Sequence, residues 1–227
     1  MTNKIINYIE HDYLEYLWEV KNHGESRDDR TGTGIRGKFF NSFLINNIEE
    51  EFPLLTTKKI WLKGIVEELR WFLSGSTNVK DLDESVRHLW SPWASASGDM
   101  GMTYGWRLRG GTREGIDQVD QINKLVKGLQ ANRLSRRHVM NIWDSNQENM
   151  TGLPWCHGTY IQFYVHNDNK LSLCTHQRSA DLFLGLPFNL ASYSLFLMLI
   201  ANMTATRLGM FIIQLETLTS IIITLNK

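Results

Sequence analysis

Residues 188–204 run FNLASYSLFLMLIANMT, apolar almost throughout and without a single charge. A helix of that composition has no polar face to turn toward water, so other elements must enclose it. It falls short of the roughly 18 apolar residues a membrane span needs, and no other run is longer, so a wall of protein is expected rather than a bilayer. The chain can build that wall: it has 227 residues, 42% hydrophobic and 21% charged, enough for one full core. No repeat, low-complexity tract or Pro/Ser linker divides it, and residues 1–227 are expected to form a single domain.

Periodicity predicts the elements around that helix. Residues 3–20 place Ile5, Ile6, Ile9, Leu14, Leu17 and Trp18 at near-helical spacing. Residues 60–73 place Ile65, Leu69, Phe72 and Leu73 at i, i+4, i+7 and i+8, with Gly75 as a stop. A further helix is expected from about Ile116 to Leu129, through Val119, Ile122, Leu125 and Val126. Strands are expected at 36–46, with Phe39, Phe43 and Ile45 on one alternation, and at His138–Trp143. A hairpin of Thr159–Val165 and Leu171–Thr175 turns at Asn167, Asp168 and Asn169. The mixture predicts an α+β fold, a mixed β-sheet packed against helices.

Composition narrows the function. Lys+Arg and Asp+Glu are equal at 24 each, which gives no support to a nucleic-acid partner. Two cysteines, Cys156 and Cys174, are too few for a disulfide framework in a chain this long, and the opening residues are too acidic for a signal peptide. A cytoplasmic protein with no membrane partner is the expectation.

Several polar residues stand where chemistry is plausible. Cys156 lies in a Pro-Trp-Cys-His loop just before a strand, beside His157, a setting in which a thiol can become a nucleophile. Cys174 lies within an alternating strand and reads as core. Arg30 in RTGTG, Arg136 and Arg137 after Ser135, and Arg178 before Ser179 are either solvated charges or the forks that hold a phosphate dianion. Asn189, at the start of the apolar helix, is either an N-cap or a reader of an imide edge such as that of uracil. Trp90 and Trp93, followed by Asp99 and Tyr104, form either core or a wall for a planar heterocycle.

Six segments, RTGTG (30–34), FPLLTTKK (52–59), EELRWFLSGSTN (67–78), SRR (135–137), PWCH (154–157) and QRSADLFLGLPFNLASY (177–193), resemble the folate-dependent thymidylate synthase family in order and spacing, from about residue 8 to 214. The resemblance implies a homodimer joined through a sheet face. It implies reductive methylation of dUMP by 5,10-methylenetetrahydrofolate as co-substrate, with no metal. Matched residue by residue, Cys156 becomes the nucleophile at C6 of uracil. Glu68 orders proton transfers, with His157 and Tyr104 nearby. Arg30, Arg178 and Ser179 hold the 5′-phosphate, joined by Arg136 and Arg137 from the other subunit, while Gln177 and Asn189 belong to the nucleotide site. Trp90, Trp93, Asp181 and Gly185 meet the folate, Asp181 serving catalysis as well, and Lys58 meets its glutamyl tail.

Two departures qualify the resemblance. Trp155 stands before the cysteine where the family usually has Pro, which keeps a dUMP hydroxymethylase as an alternative. Family members acting on dCMP carry Asp at the position of Asn189, which disfavours cytosine. After Leu215 the family continues Gly-Asp-x-His-x-Tyr-x-Asn-His, whereas residues 216–227 read ETLTSIIITLNK. One allowed coding of these residues, read with a G placed in front, translates as Gly-Asp-Ser-His-Ile-Tyr-Asn-Asn-His-Ile-Lys. A one-nucleotide loss near the Leu215 codon is therefore expected, with genuine divergence as the alternative. Without the sugar-binding His and Tyr, little or no activity is expected, and the altered segment is expected to leave sheet surface uncovered. A non-catalytic family member is the remaining alternative.

Overall fold

The computed structural model describes residues 8–29, 32–46, 48–145 and 156–221. In chain order these form α1 (Tyr8–His23), β1 (Glu25–Arg27), β2 (Ile35–Ile45), α2 (Leu62–Ser74), α3 (Glu84–Trp90), α4 (Tyr104–Arg109), a hairpin of β3 (Gly111–Arg113) and β4 (Ile116–Gln118), α5 (Gln121–Ala131), β5 (Val139–Asn141), β6 (Gly158–Val165), β7 (Lys170–Gln177), β8 (Ala180–Asp181), α6 (Leu186–Met203) and β9 (Arg207–Ile221). The main sheet is seven-stranded in the order β1-β2-β9-β7-β6-β5, with β8 also on β9. β9 runs parallel to β7 and β8 and antiparallel to β2, so the sheet is mixed and the fold is α+β.

The apolar helix α6 is the crossover between parallel strands β7 and β9, the connection such a pair requires. It is 18 residues long and apolar enough to pass for a span by length and composition, which corrects the shorter run expected from sequence. Just over half of it, 56%, is nevertheless buried inside the fold. Leu190, Leu197 and Ile200 are buried in the same core as Ile161 and Phe163 of β6, Leu171 and Leu173 of β7, and Phe211, Ile213 and Leu215 of β9. At about 25 cal/mol per Å², each such side chain contributes ~2 kcal/mol on burial.

The opposite sheet face is half-covered. The cross-strand row Val139, Gln162, Cys174, Ile212 and Leu44 lies on it, and Leu44 and Tyr164 are exposed. Cys174 is thus half-buried on this face rather than in the core, and burial pushes its thiol pKa up.

Several expectations are corrected. Phe43 and Ile45 are buried, but Phe39 is exposed, because Phe40 takes φ +62° and breaks the alternation of β2. Its partner β9 changes face at the same level: Phe211, Ile213 and Leu215 are buried, then Leu218 and Ser220. On α1 the inner face is Ile9, Tyr13 and Val20, while Leu14 and Trp18 point outward; Ile5 and Ile6 lie outside the described residues. The helix expected from Ile116 starts only at Gln121, where the Asp120 side chain caps it by accepting from the Asn123 N–H at 2.9 Å. Ile116 belongs instead to β4. Finally, residues 216–221 do not leave the sheet uncovered. They continue β9, pairing with β2 from Ile35↔Ile221 to Phe39↔Thr217 and with β8 at Ala180↔Leu218 and Asp181↔Thr219. Residues 222–227 lie outside the described residues.

Candidate active site

α2 and α6 face each other across a cavity of about 370 Å³. From α2 it takes Gly64, Ile65, Glu68, Leu69, Phe72 and Leu73, and from α6 Phe188, Asn189, Ser192, Tyr193 and Phe196. Both sets follow the three-and-four spacing that gathers side chains on one helix face. Trp61, Trp90, Tyr104, Ile142, His157 and Gly185 contribute to the remaining walls, so polar groups project from a largely apolar lining, as in small-molecule sites generally.

Local chemistry brings α4 to this wall. α2 ends at Gly75 with φ +84°, a left-handed turn whose N–H returns to the Phe72 carbonyl. Gly105 lies against that turn, where a Cβ would fall 2.2 Å from the Ser76 carbonyl oxygen. The close approach lets Tyr104 stack on Phe72 at 4.5 Å between ring centroids.

The polar groups are tied to one another. Trp90 Nε1 donates to Glu68 Oε1 at 2.7 Å, and burial raises the Glu68 carboxyl above the usual carboxylate range against the opposing effect of that bond. Such a carboxyl exchanges protons closer to neutral pH. The Tyr104 hydroxyl accepts the His157 N–H at 3.0 Å. Burial, and after it Arg178, lowers His157 to about 4, so the imidazole is neutral; its Nδ1 is buried with no partner among the described residues. Cys156 is fully buried, and its carbonyl accepts from Arg178 Nε at 3.1 Å, while the Arg178 N–H donates to the His157 carbonyl at 2.9 Å. Asn189 is not a cap: Gly185 holds that position, and Asn189 Nδ2 donates to Gln177 Oε1 at 3.3 Å while Gln177 Nε2 donates to the Ser179 carbonyl at 3.0 Å. The amide is thereby tethered on one side while the residue lines the cavity.

The sequence profile of thymidylate synthase matches residues 11–219. The chain belongs to the thymidylate synthase family.

Of the residues that the thymidylate synthase resemblance singled out, the fold places Glu68, Trp90, Tyr104, His157, Gly185 and Asn189 on one cavity. Gln177 lies one hydrogen bond behind it, and Arg178 bonds the backbone of His157 and Cys156. Cys156 lies next to His157 but is not part of the lining. Lys58 donates to the Phe183 carbonyl at 2.7 Å and sits 5.2 Å from the centroid of the Phe188 ring, itself a wall residue. Asp181 accepts from the backbone N–H groups of Phe183 and Leu184, and burial raises its carboxyl. Trp90 is the last residue of α3, and Trp93 sits in the 3-10 turn that follows, half-buried against the core. Asp99 is taken up by Arg113 and Thr77 and serves the loop, not the cavity. Arg136 and Arg137 are exposed ahead of β5 and line no part of the cavity. Arg30 and Trp155 lie outside the described residues.

Sequence reading overlooked Tyr193. It lines the cavity, and burial, with a smaller contribution from Cys156, pushes its hydroxyl pKa up to about 12 against the bond to Thr175. Its position four residues after Asn189, on the same helix face, was the available signal. The first residue of β6 also passes close to it: a Cβ on Gly158 would fall 2.4 Å from its hydroxyl.

Proposed function

We propose that this chain carries the machinery for reductive methylation of dUMP by 5,10-methylenetetrahydrofolate, in a cytoplasmic homodimer. The observation that supports the reading most directly is one cavity walled by Glu68, His157 and Asn189, with Cys156 and Arg178 joined just behind it. In this scheme the Cys156 thiolate adds to C6 of the uracil, and the electron pair moves to C5 and O4 as an enolate. C5 then bonds to the one-carbon unit of the folate. A general base ordered by Glu68 removes the C5 proton as the bond from that carbon to the folate nitrogen breaks, leaving an exocyclic methylene and tetrahydrofolate. Hydride from the tetrahydrofolate completes the methyl group as the Cys156 thiolate leaves C6, giving dihydrofolate. Asn189 reads the imide edge, Arg178 and Ser179 take the phosphate, and Arg136 and Arg137 reach the site of the neighbouring subunit. Their exposure accords with that role. Trp90 and Phe188 offer flat apolar walls to the folate, with Trp93, Asp181 and Gly185 assigned to it as well, and Lys58 receives its anionic tail. The second copy covers the sheet face bearing Leu44, Ile212 and Cys174.

Residues 216–221 set a limit on turnover. The family pattern would place its His at 219 and its Tyr at 221, whereas Thr219 donates its hydroxyl to the Ala180 carbonyl. A one-nucleotide loss near the Leu215 codon is the account we propose, with genuine divergence as the alternative, and sequencing across that codon decides between them. The test of the chemistry is trapping with 5-fluoro-dUMP and methylenetetrahydrofolate, since C5 then carries fluorine in place of the proton the base must remove and the adduct cannot proceed. Intact-mass spectrometry should find the nucleotide–folate adduct on Cys156 in the chain with 216–227 restored to the alternative frame, a weaker adduct in the chain as it stands, and none in Cys156→Ser. If neither form is trapped, the methylation scheme fails. Conversion of dUMP with tetrahydrofolate, rather than dihydrofolate, as co-product would replace it by hydroxymethylation.

A further inference from the structure

The first turn of α1 makes a contact that no part of the catalytic scheme uses. The Glu10 carboxylate collects four donors from a segment 46 and 47 residues away: the Thr56 N–H and hydroxyl, at 2.7 Å each, and the Thr57 N–H and hydroxyl, both in close contact. An ionised carboxylate has room for about four donors and brings none of its own, which is what this constellation asks of it. These bonds outweigh the modest burial and hold the Glu10 pKa below its ordinary value. Thr56 and Thr57 are themselves exposed, so little apolar packing fixes them.

The next residue is Lys58, and it is unusually well placed for an exposed loop. Its ammonium donates to the Phe183 carbonyl and lies 4.9 Å from the Phe183 ring centroid and 5.2 Å from that of Phe188, at the edge of the cavity. Asp181 attracts it. One turn after Glu10, Tyr13 lies within the electrostatic reach of Asp181 as well.

We propose that Glu10 is a positioning residue: by gathering Thr56 and Thr57 it holds Lys58 at the cavity rim to receive the polyanionic tail of the folate. The inference rests on the folate reading above, and the experiment separates the two. The probes are pteroylmonoglutamate and pteroylpentaglutamate, titrated in the presence of dUMP against the fluorescence of the protein's tryptophans, two of which line the cavity. Lys58→Ala should weaken the pentaglutamate about tenfold and the monoglutamate less than about twofold, as expected for loss of one charge partner. Glu10→Gln, which supplies one acceptor oxygen and an unwanted donor, should weaken the pentaglutamate about fivefold with the same selectivity. Glu10→Asp should recover part of the loss, and Glu10→Gln combined with Lys58→Ala should be no worse than Lys58→Ala alone. Amide exchange at Thr56 and Thr57 should quicken in Glu10→Gln.

If Lys58→Ala is selective but Glu10→Gln weakens both probes equally, or neither, Glu10 is structural only and the proposal is overturned while the folate reading stands. If Lys58→Ala changes neither probe while the unaltered chain binds both, Lys58 does not receive the tail and the proposal is overturned while the folate reading stands. If the unaltered chain binds neither, the folate reading fails and takes the proposal with it.

Discussion

His157 should make the fold sensitive to mild acid. Its imidazole is lowered from 6.5 to about 4 by burial, with Arg178 adding to the effect. Below pH 6.5 the unfolded chain binds a proton that the folded chain refuses until about pH 4, so stability falls as pH drops through that window. For one group with these two values, linkage gives a loss of about 2 kcal/mol between pH 7 and pH 5 and about 3 kcal/mol by pH 4. In a chain of this size 2 kcal/mol corresponds to a fall in Tm of roughly 4–8 °C. The other histidines and the carboxylates also titrate, so the informative quantity is a difference. His157→Gln removes the titrating group while keeping a hydrogen-bonding side chain. Thermal unfolding of both proteins at pH 7, 6 and 5, at fixed ionic strength and protein concentration, should show the unaltered chain losing stability more steeply by that amount. Parallel loss in the two proteins would mean that residue 157 is protonated in the folded state, and the argument for a neutral imidazole at the cavity would be wrong.

The remaining predictions are more local. Gly105→Ala places a methyl group 2.2 Å from the Ser76 carbonyl oxygen, a backbone atom with no rotamer to yield. Urea unfolding should show a loss of about 3 kcal/mol, and a loss below about 1 kcal/mol would show that the α2–α4 contact is looser than drawn. Asn189→Asp, once protonated, presents a donor where the amide presents an acceptor. It should shift nucleotide binding from dUMP toward dCMP by at least about tenfold, measured by competition; an unchanged ratio would remove Asn189 from base recognition.

Much of the frame was legible because its signals are local. The helix over 60–73 and the hairpin of β6 and β7 were set by periodicity and turn residues, and the structure moves their ends by a few residues at most. What sequence could not show depends on contacts between distant segments. The outward turn of Phe39 follows from one left-handed residue, Phe40, which falls at the gap in the pairing with β9 between Phe39↔Thr217 and Asn41↔Leu215 and carries no signal of it in its side chain. The site was legible in a different sense: each motif named residues, but their meeting is a property of the sheet. Arg178 reaches Cys156 because β6 and β7 pair at Gly158↔Gln177, and Asn189 reaches Gln177 because the start of α6 returns over the end of β7. Tyr193 drew no notice because a tyrosine in an apolar helix looks like ordinary core until the helix opposite it is known.

Residues 216–221 separate what a sheet requires from what a reaction requires. The segment Glu-Thr-Leu-Thr-Ser-Ile is rich in side chains that strands accept, and it keeps every pairing from Thr217 to Ile221 with β2. Leu218 and Ser220 are buried, and the Thr217 N–H still donates to the Arg178 carbonyl at 3.2 Å while the Leu182 N–H donates to that of Thr219 at 2.8 Å. Backbone ladders are indifferent to side-chain identity, so a strand can tolerate replacement of its whole sequence if apolar residues still fall on the buried face. Catalytic contacts have no such tolerance. They need particular donors at particular positions, and the one proton of the Thr219 hydroxyl is directed to the Ala180 carbonyl. Under the reading proposed for this segment, stability and turnover should therefore part company here: restoring the alternative frame should raise turnover and leave the unfolding midpoint nearly unchanged.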